Sequence, residues 1–310
     1  MNLHLKVGKS ELAISMKVCI GITTKNRGEI LQKAIKSALD QSYANKRVLV
    51  FDDGSDDLTK VLPKQYPEVQ WLRENKSIGL LAARNKMMRQ CNADLYVSLD
   101  DDAWFLKGNE IAYAVNHMMK NPKTAAISFD VLQRGTKRFN PVDQEVEIET
   151  NVFIGCGHML RLSAVQEVGY YVPFPLRYGH EEKDLCIRLI DRGYNIIFLQ
   201  GVHVWHEYTS VERNVSEQRY SFIVNDLIFP LRRVPLQYLF LVLLNNILRK
   251  LKSRQEDKRL TRKAIGHFFK LIPSQWKFID RVKPKAYRKY RALSVSYLAY
   301  LDEHDQSNRS

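Results

Sequence analysis

A chain of 310 residues with 45% hydrophobic and 26% charged side chains has ordinary globular composition, which excludes bulk disorder and allows one large domain with an appendage. Its formal net charge of +14 would suggest a nucleic-acid binder if it were spread evenly. However, 19 of the 48 Lys and Arg and only 6 of the 34 Asp and Glu lie in residues 231–310. The first 230 residues are therefore nearly neutral, two functional parts are indicated, and nucleic acid is not expected as a partner. Cys19, Cys91, Cys156 and Cys186 are scattered without CxxC spacing, which speaks against a zinc knuckle or a disulfide framework and fits a reducing, cytoplasmic setting.

Along the chain, Lys6, Lys9 and Glu11 interrupt any apolar leader, so residues 1–16 read as an N-terminal extension and not a signal peptide. "KVCIGITT" (Lys17–Thr24) is a buried type of strand. The helix after it places Ile30, Leu31, Ala34, Ile35 and Leu39 at three- and four-residue steps. "RVLVFDDGSDD" is a second strand ending in acids and a glycine turn, with Asp56 and Asp57 placed to cap the next helix. "VQWLREN" is a third strand, "SIGLLAARNKMMRQC" a helix with Ser77 as N-cap, and "DLYVSLDDD" a fourth strand. A helix ("GNEIAYAVNHMMKN"), a strand ("TAAISFDVL") and an irregular acidic stretch near Pro141–Thr150 come next. Then follow a Gly-Cys-Gly turn with a short helix, a loop feeding a helix that stops at Gly193, and a last strand ahead of "GVHVWHEYTS". Strands alternating with helices predict an α/β domain with a largely parallel sheet over residues 17–230.

In open α/β sheets, ligands bind beyond the carboxyl ends of the strands. Thr23-Thr24, Asp52-Asp53 and Asp100-Asp101-Asp102 all fall at such ends. Clustered carboxylates suit hard divalent cations, Mg²⁺ or Mn²⁺, which keep open positions for phosphate oxygens. Asp52 is placed to bond a nucleobase or ribose, and Arg84 to face a diphosphate. Glu181 and Glu182, at a loop–helix junction, could take a proton from an attacking hydroxyl, although acids there also favour the helix dipole. Asp184 and Arg188 are spaced for an intrahelical ion pair. His203 and His206 follow a strand, and spacing alone leaves open whether either is a metal ligand.

These pieces together resemble the inverting family 2 glycosyltransferases. The resemblance rests on "CIGITTKNR", "VLVFDDGSDD", "NKSIGLLAARN", "SLDDDAW", "GCGHMLRLSAVQEVG", "YGHEEKDLCIRL" and "VWHE", in that order over about Lys17–Ser210. It implies a GT-A fold: a Rossmann-like, mixed but mostly parallel sheet flanked by helices. It also implies a metal-dependent, inverting transfer from a nucleotide-diphosphate sugar, UDP-linked by family weight, to a hydroxyl of a glycan or lipid-linked acceptor. On that resemblance Thr23, Asp52, Arg84, Asp100 and Asp101 lie on the donor side. Asp100, Asp102 and His206 are the candidate metal ligands. Gly155, Cys156, Gly157 and His158 lie on the acceptor side. Glu182 aligns with the catalytic base, with Glu181 before it; a Glu-Glu pair stands where the family has Glu-Asp, which leaves the choice between them open.

The tail of residues 231–310 lies outside the resemblance. Its most apolar stretch, Val234–Leu248, is shorter than the roughly 20 residues a membrane span needs and contains Pro235, Asn245 and Asn246. Basic residues mixed with Phe, Trp and Tyr suit either the surface of an anionic membrane, on its cytoplasmic face, or helices packed on the domain. Two other activities fit less well. A sugar-phosphate nucleotidyltransferase wants a glycine-rich phosphate loop that "TTKNRGE" does not supply, and a glycoside hydrolase has no use for the nucleotide-side acids. A catalytically degenerate domain kept as a membrane scaffold is the non-enzymatic alternative.

Overall fold

The computed structural model describes residues 15–133, 146–207, 215–252 and 257–294. Strand β1 (Val18–Thr24) is buried along its whole length. Its alternation divides two cores: Val18, Ile20 and Ile22 pack with Leu31, Ala34 and Ile35 of α1 (Gly28–Leu39), and Cys19 packs with Ala83 and Met87 of α3 (Leu80–Gln90). Each large apolar side chain so buried contributes about 1.5–3 kcal/mol. Gly21 is required on the second face, because any Cβ there would overlap the Tyr96 ring.

Strand β2 (Lys46–Asp52) is followed by a 3-10 turn (Leu58–Val61), the single-turn helix α2 (Leu62–Gln65) and β3 (Gln70–Arg73). Asp57 caps the 3-10 turn by accepting from the Thr59 N–H, and Asp56 pairs with Lys60. The N-cap of α3 is Gly79; Ser77, expected in that role, instead donates its hydroxyl to Asp53 at 2.5 Å. After β4 (Leu95–Asp100) comes β5 (Ala103–Phe105), a strand too short for the sequence pattern to reveal. Helix α4 (Glu110–Lys120), β6 (Thr124–Leu132), β7 (Glu147–Thr150) and β8 (Gly157–Arg161) follow. Strand β7 stands where an irregular stretch was expected, and residues 141–145 of that stretch lie outside the described residues. Helices α5 (Leu162–Glu167) and α6 (Glu181–Asp191) then lead into β9 (Asn195–His206).

The sheet order is β3-β2-β1-β4-β8-β6-β9-β5, with β7 on β9. Strands β1 to β4 are mutually parallel, and β8 turns the sheet antiparallel next to β4. Register then assembles one rim, since Thr24 pairs with Asp52 and Thr23 with Asp100. On the far side β9 stays paired with β6 but shifts register midway. Phe129 pairs with Leu199, but Asp130 pairs with His203, so the residues between bulge out and β9 bends toward β5. Ala103 is thereby paired with His206, which delivers the end of β9 to the residue after Asp102.

Helices α7 (Val215–Arg233), α8 (Leu236–Lys252), α9 (Lys258–Gln275) and a helical run over 284–294 form the C-terminal part. The expected boundary at residue 230 falls inside α7. Ile223, Val224, Leu227, Ala264 and Phe268 make a helical core, while Phe229, Val282, Tyr287 and Tyr290 join the core beneath α6. Arg233 Nε lies 2.6 Å from Asp184 Oδ1, so one side of this region is built into the domain. Residues 295–310 of the tail lie outside the described residues. No helix among the described residues is long and apolar enough to cross a membrane.

Candidate active site

Three adjacent aspartates at the end of β4 would repel one another, and the fold gives each a different environment. Arg27, at the start of α1, forks across two of them: Nη1 lies 2.6 Å from Asp101 Oδ1 and Nη2 lies 2.8 Å from Asp102 Oδ2. Thr24 donates its hydroxyl to Asp101 Oδ2 at 2.9 Å. Asp101 is therefore turned inward, away from the mouth where it was expected to meet the donor. Burial pushes its carboxyl up to about 7; Arg27 opposes that rise and Asp102 adds to it. Burial also acts against ionisation of Asp102, but the hydrogen bond to His206 and the charge of Arg27 outweigh it and hold that group below the usual carboxylate range. Asp100 keeps 27% of its side chain exposed, against 6% for Asp101 and none for Asp102.

One atom each from Asp100, Asp102 and His206 lies within 4.8 Å of the others. Donor atoms around a Mg²⁺ or Mn²⁺ ion stand about 3–4.5 Å apart. Two carboxylates and an imidazole at this spread fit such an ion. His206 Nε2 is 3.3 Å from Asp102 Oδ1. His203, three residues earlier and hence on the other face of β9, sits 3.4 Å from Asp130 and takes no part.

Glu181 and Glu182 occupy the first turn of α6, where the positive end of the helix favours them. Glu182 lies against Gly155, and any Cβ on that glycine would run into the carboxylate oxygen. Arg84 connects the two acidic groups from below: Nη2 donates to Asp100 Oδ1 at 2.7 Å and to the Gly155 carbonyl at 2.9 Å. Its Nε and Nη1 are buried without a hydrogen-bond partner among the described residues. Arg84 as a whole is 1% exposed, so it sits beneath Asp100. Burial and the neighbouring Glu181 push the Glu182 carboxyl up to about 8, with Arg84 opposing; burial raises Glu181 as well.

The remaining expected residues divide by exposure. Thr23 is at the rim and nearly buried. Asp52 accepts from the Ser55 N–H at 2.8 Å and pairs with Arg73 at 2.5 Å, so both oxygens are engaged and Arg73 is the partly exposed member of the pair. Of the Gly155–His158 turn, only Gly155 retains surface. Cys156 and Gly157 are buried. His158 is enclosed: it stacks on Phe153, donates Nδ1–H to the Ile154 carbonyl at 2.9 Å and accepts from the Tyr171 hydroxyl at 3.0 Å. Burial drives its pKa down to about 3, so the ring is neutral and structural.

Sequence reading missed Arg27 and two residues of α7. His180, directly before Glu181, has a left-handed φ of +81°, and its Nε2 is 2.9 Å from Asp226. Asp226 lies in turn 2.8 Å from Lys250 Nζ. Asn225 is fully buried and donates to the carbonyls of Leu176, Tyr178 and Gly179 at 3.0, 2.9 and 3.3 Å. The turn that presents both glutamates is thus fixed by α7. The signal was "IVNDLIF", a polar pair inside an apolar helix.

A parallel β3-β2-β1-β4 half sheet with an acidic tip, closed by a mixed half that brings in a histidine and a helix that brings in a glutamate pair, is the GT-A architecture of nucleotide-sugar transferases. The family described as Glycosyl transferase family 2 matches residues 19–169, just under half of the chain, and the chain is a glycosyltransferase. Among its relatives is a UDP-Glc:alpha-D-GlcNAc-diphosphoundecaprenol beta-1,3-glucosyltransferase of Escherichia coli, 24% identical over 214 residues, 66% of this chain and 81% of that one. The fold is shared with TarS residues 1–349 of S. aureus in complex with UDP-GlcNAc (TM-score 0.61, 16% identity, 94% of this chain and 89% of that one). It is shared also with mannosyltransferase PcManGT of Pyrobaculum calidifontis in complex with GDP-Man and Mn²⁺ (TM-score 0.56, 15% identity, 96% and 89%).

Proposed function

We propose that the chain is a divalent-metal-dependent, inverting transferase that moves a sugar from a nucleotide-diphosphate donor to a hydroxyl of a lipid-linked glycan. The observation that carries this is the convergence of Asp100 and Asp102, at the tip of β4, with His206, at the end of β9, to within 4.8 Å, on the rim that Glu181 and Glu182 also approach. Mg²⁺ or Mn²⁺ held by those three residues would supply neutralising charge for the departing diphosphate.

The protein's own groups do the rest. Thr23 and the Asp52–Arg73 pair border the nucleoside. Arg84 holds Asp100 and the Gly155 carbonyl in place. Glu182, or Glu181 in its stead, accepts the proton of the acceptor hydroxyl as its oxygen attacks the anomeric carbon. Attack from the face opposite the leaving diphosphate inverts that carbon in a single displacement, and no side chain serves as a covalent nucleophile. The E. coli relative's diphosphoundecaprenol-linked acceptor supports a lipid-linked acceptor here, and with it a position at the cytoplasmic face of a membrane, with residues 231–310 toward the lipid. UDP is the favoured nucleotide, because UDP-sugar relatives and neighbours predominate among those described.

A thermal-shift panel of nucleoside diphosphates with Mn²⁺ or EDTA tests the donor side. Stabilisation is expected for one nucleotide and only with metal, since a ligand that binds the folded state raises its stability. Metal-dependent hydrolysis of the matching nucleotide sugar, lost in Glu182→Gln, tests the chemistry. Nucleotide binding without turnover of any donor would favour the scaffold alternative.

A further inference from the structure

We propose that the outer face of α8 is a docking surface for an anionic lipid bilayer; this narrows, and rests on, the reading of a lipid-linked acceptor. Helix α8 is apolar on both sides: Leu239, Val242, Leu243 and Ile247 pack against the cores beneath it. Lys250 is 9% exposed and its Nζ is held 2.8 Å from Asp226, and Asn246 donates to the Asp226 carbonyl at 3.4 Å. On the other side Leu236, Phe240, Leu241, Leu244, Leu248 and Leu251 are all exposed, Leu236 by 73% and Phe240 by 74%. At about 100° per residue these six share a sector of roughly 140°, in which Gln237 is the one polar residue. A helix with one side in water keeps that side polar. Single exposed apolar side chains need no explanation, but six on one face mark an interaction surface.

Charge selects the occupant. Arg249 and Lys252 are exposed in the last turn, Lys252 at the edge of the apolar sector and Arg249 3.5 Å from Asp226 Oδ2. Helix α9, packed beside α8, leaves Phe269 and Lys270 exposed, and the 3-10 turn after it leaves Trp276 and Lys277 at the surface. A second copy of this chain would bring more cations to the same patch. An anionic bilayer offers an apolar layer and the opposite charge together. Since α8 does not cross a membrane, its 17 residues would lie along the surface for roughly 25 Å. Its inner face reaches the glutamate turn through Lys250, Asp226 and His180, so the lipid would lie on a fixed side of the base.

The test is flotation of the purified full chain with vesicles of phosphatidylcholine containing phosphatidylglycerol, and with vesicles of phosphatidylcholine alone, in the absence of donor and acceptor. The chain is expected to float with the anionic vesicles and much less with the neutral ones. Leu244→Glu with Leu248→Glu is expected to weaken vesicle binding about a hundred-fold, leaving metal-dependent donor hydrolysis unchanged. Should that pair fail to fold, Phe240→Ser probes the same face, with a loss of about ten-fold. Wild-type chain that ignores anionic vesicles, or variants that float as it does, would overturn the proposal. So would a wild-type dimer, split by the double substitution, with no vesicle binding. Vesicle binding without any donor hydrolysis would count against the transferase mechanism alone.

Discussion

Asp102 and Asp184 are both fully buried carboxylates, and the fold treats them in opposite ways. Asp184 is enclosed by two permanent cations on helices: Arg188 Nε at 2.8 Å and Arg233 Nε at 2.6 Å. Arg188 is itself locked by the carbonyls of Val168 and Tyr170. Asp102 faces Arg27, which keeps 25% of its side chain at the surface, and the His206 imidazole at 3.3 Å. The first arrangement ties the C-terminal helices to α6. The second leaves one side of a carboxylate toward groups that can share an ion. Burial and residue type are the same, and the exposure of the partners, 25% for Arg27 against 6% for Arg188 and 2% for Arg233, separates site from structure.

Four experiments test that contrast, in order of expected effect. Asp184→Asn leaves two buried guanidinium groups short of a counter-charge and should cost about 3–5 kcal/mol in urea unfolding. A loss below 1 kcal/mol would mean that the pair is not the junction it looks like. Asp102→Asn should lower kcat by about a hundred-fold or more and abolish the thermal stabilisation by Mn²⁺ with nucleotide. An unchanged Mn²⁺ response would remove Asp102 from the metal set. Asp226→Asn, which weakens the hold on His180, should lower kcat about ten-fold with donor affinity unchanged. A matching fall in donor affinity would show a general loss of structure instead.

The smallest effect concerns pH. Burial and Glu181 hold the Glu182 carboxyl up at about 8, so its proton-accepting form gains population as pH rises through that value. In the free enzyme kcat/KM should therefore climb toward a plateau above pH 8. The same raised pKa predicts the opposite trend in folding stability. The unfolded carboxyl ionises near its ordinary value, so this group's contribution declines as pH rises from about 4.5 to 8. Glu181→Gln removes a raising charge and should move the activity limb to lower pH. A limb that disappears with Glu181→Gln would make Glu181 the base.

The site was legible wherever it lay at strand ends. Thr23, Asp52 and Asp100 follow β-branched runs, and alternation of strands with helices places such ends on one rim. Arg27 was not legible as a partner, since nothing in "TTKNRGE" announces two carboxylates 74 and 75 residues away. His158 and Asp101 looked available because each stands in a polar motif; only packing turned them inward. Strand β5 has three residues, too few to carry a period, yet it brings His206 to Asp102.

By itself the sequence determined the parallel half of the sheet, the acidic rim and the ordered motifs of a family 2 glycosyltransferase, because hydrophobic period and strand-end chemistry are local properties of the chain. Tertiary structure alone decided which acids stay open, which arginines neutralise the others, and that α7 fixes the glutamate turn. It also decided that α8 buries Lys250 and leaves six large apolar side chains exposed. Those outcomes depend on contacts between residues tens to hundreds of positions apart, and no local pattern encodes them.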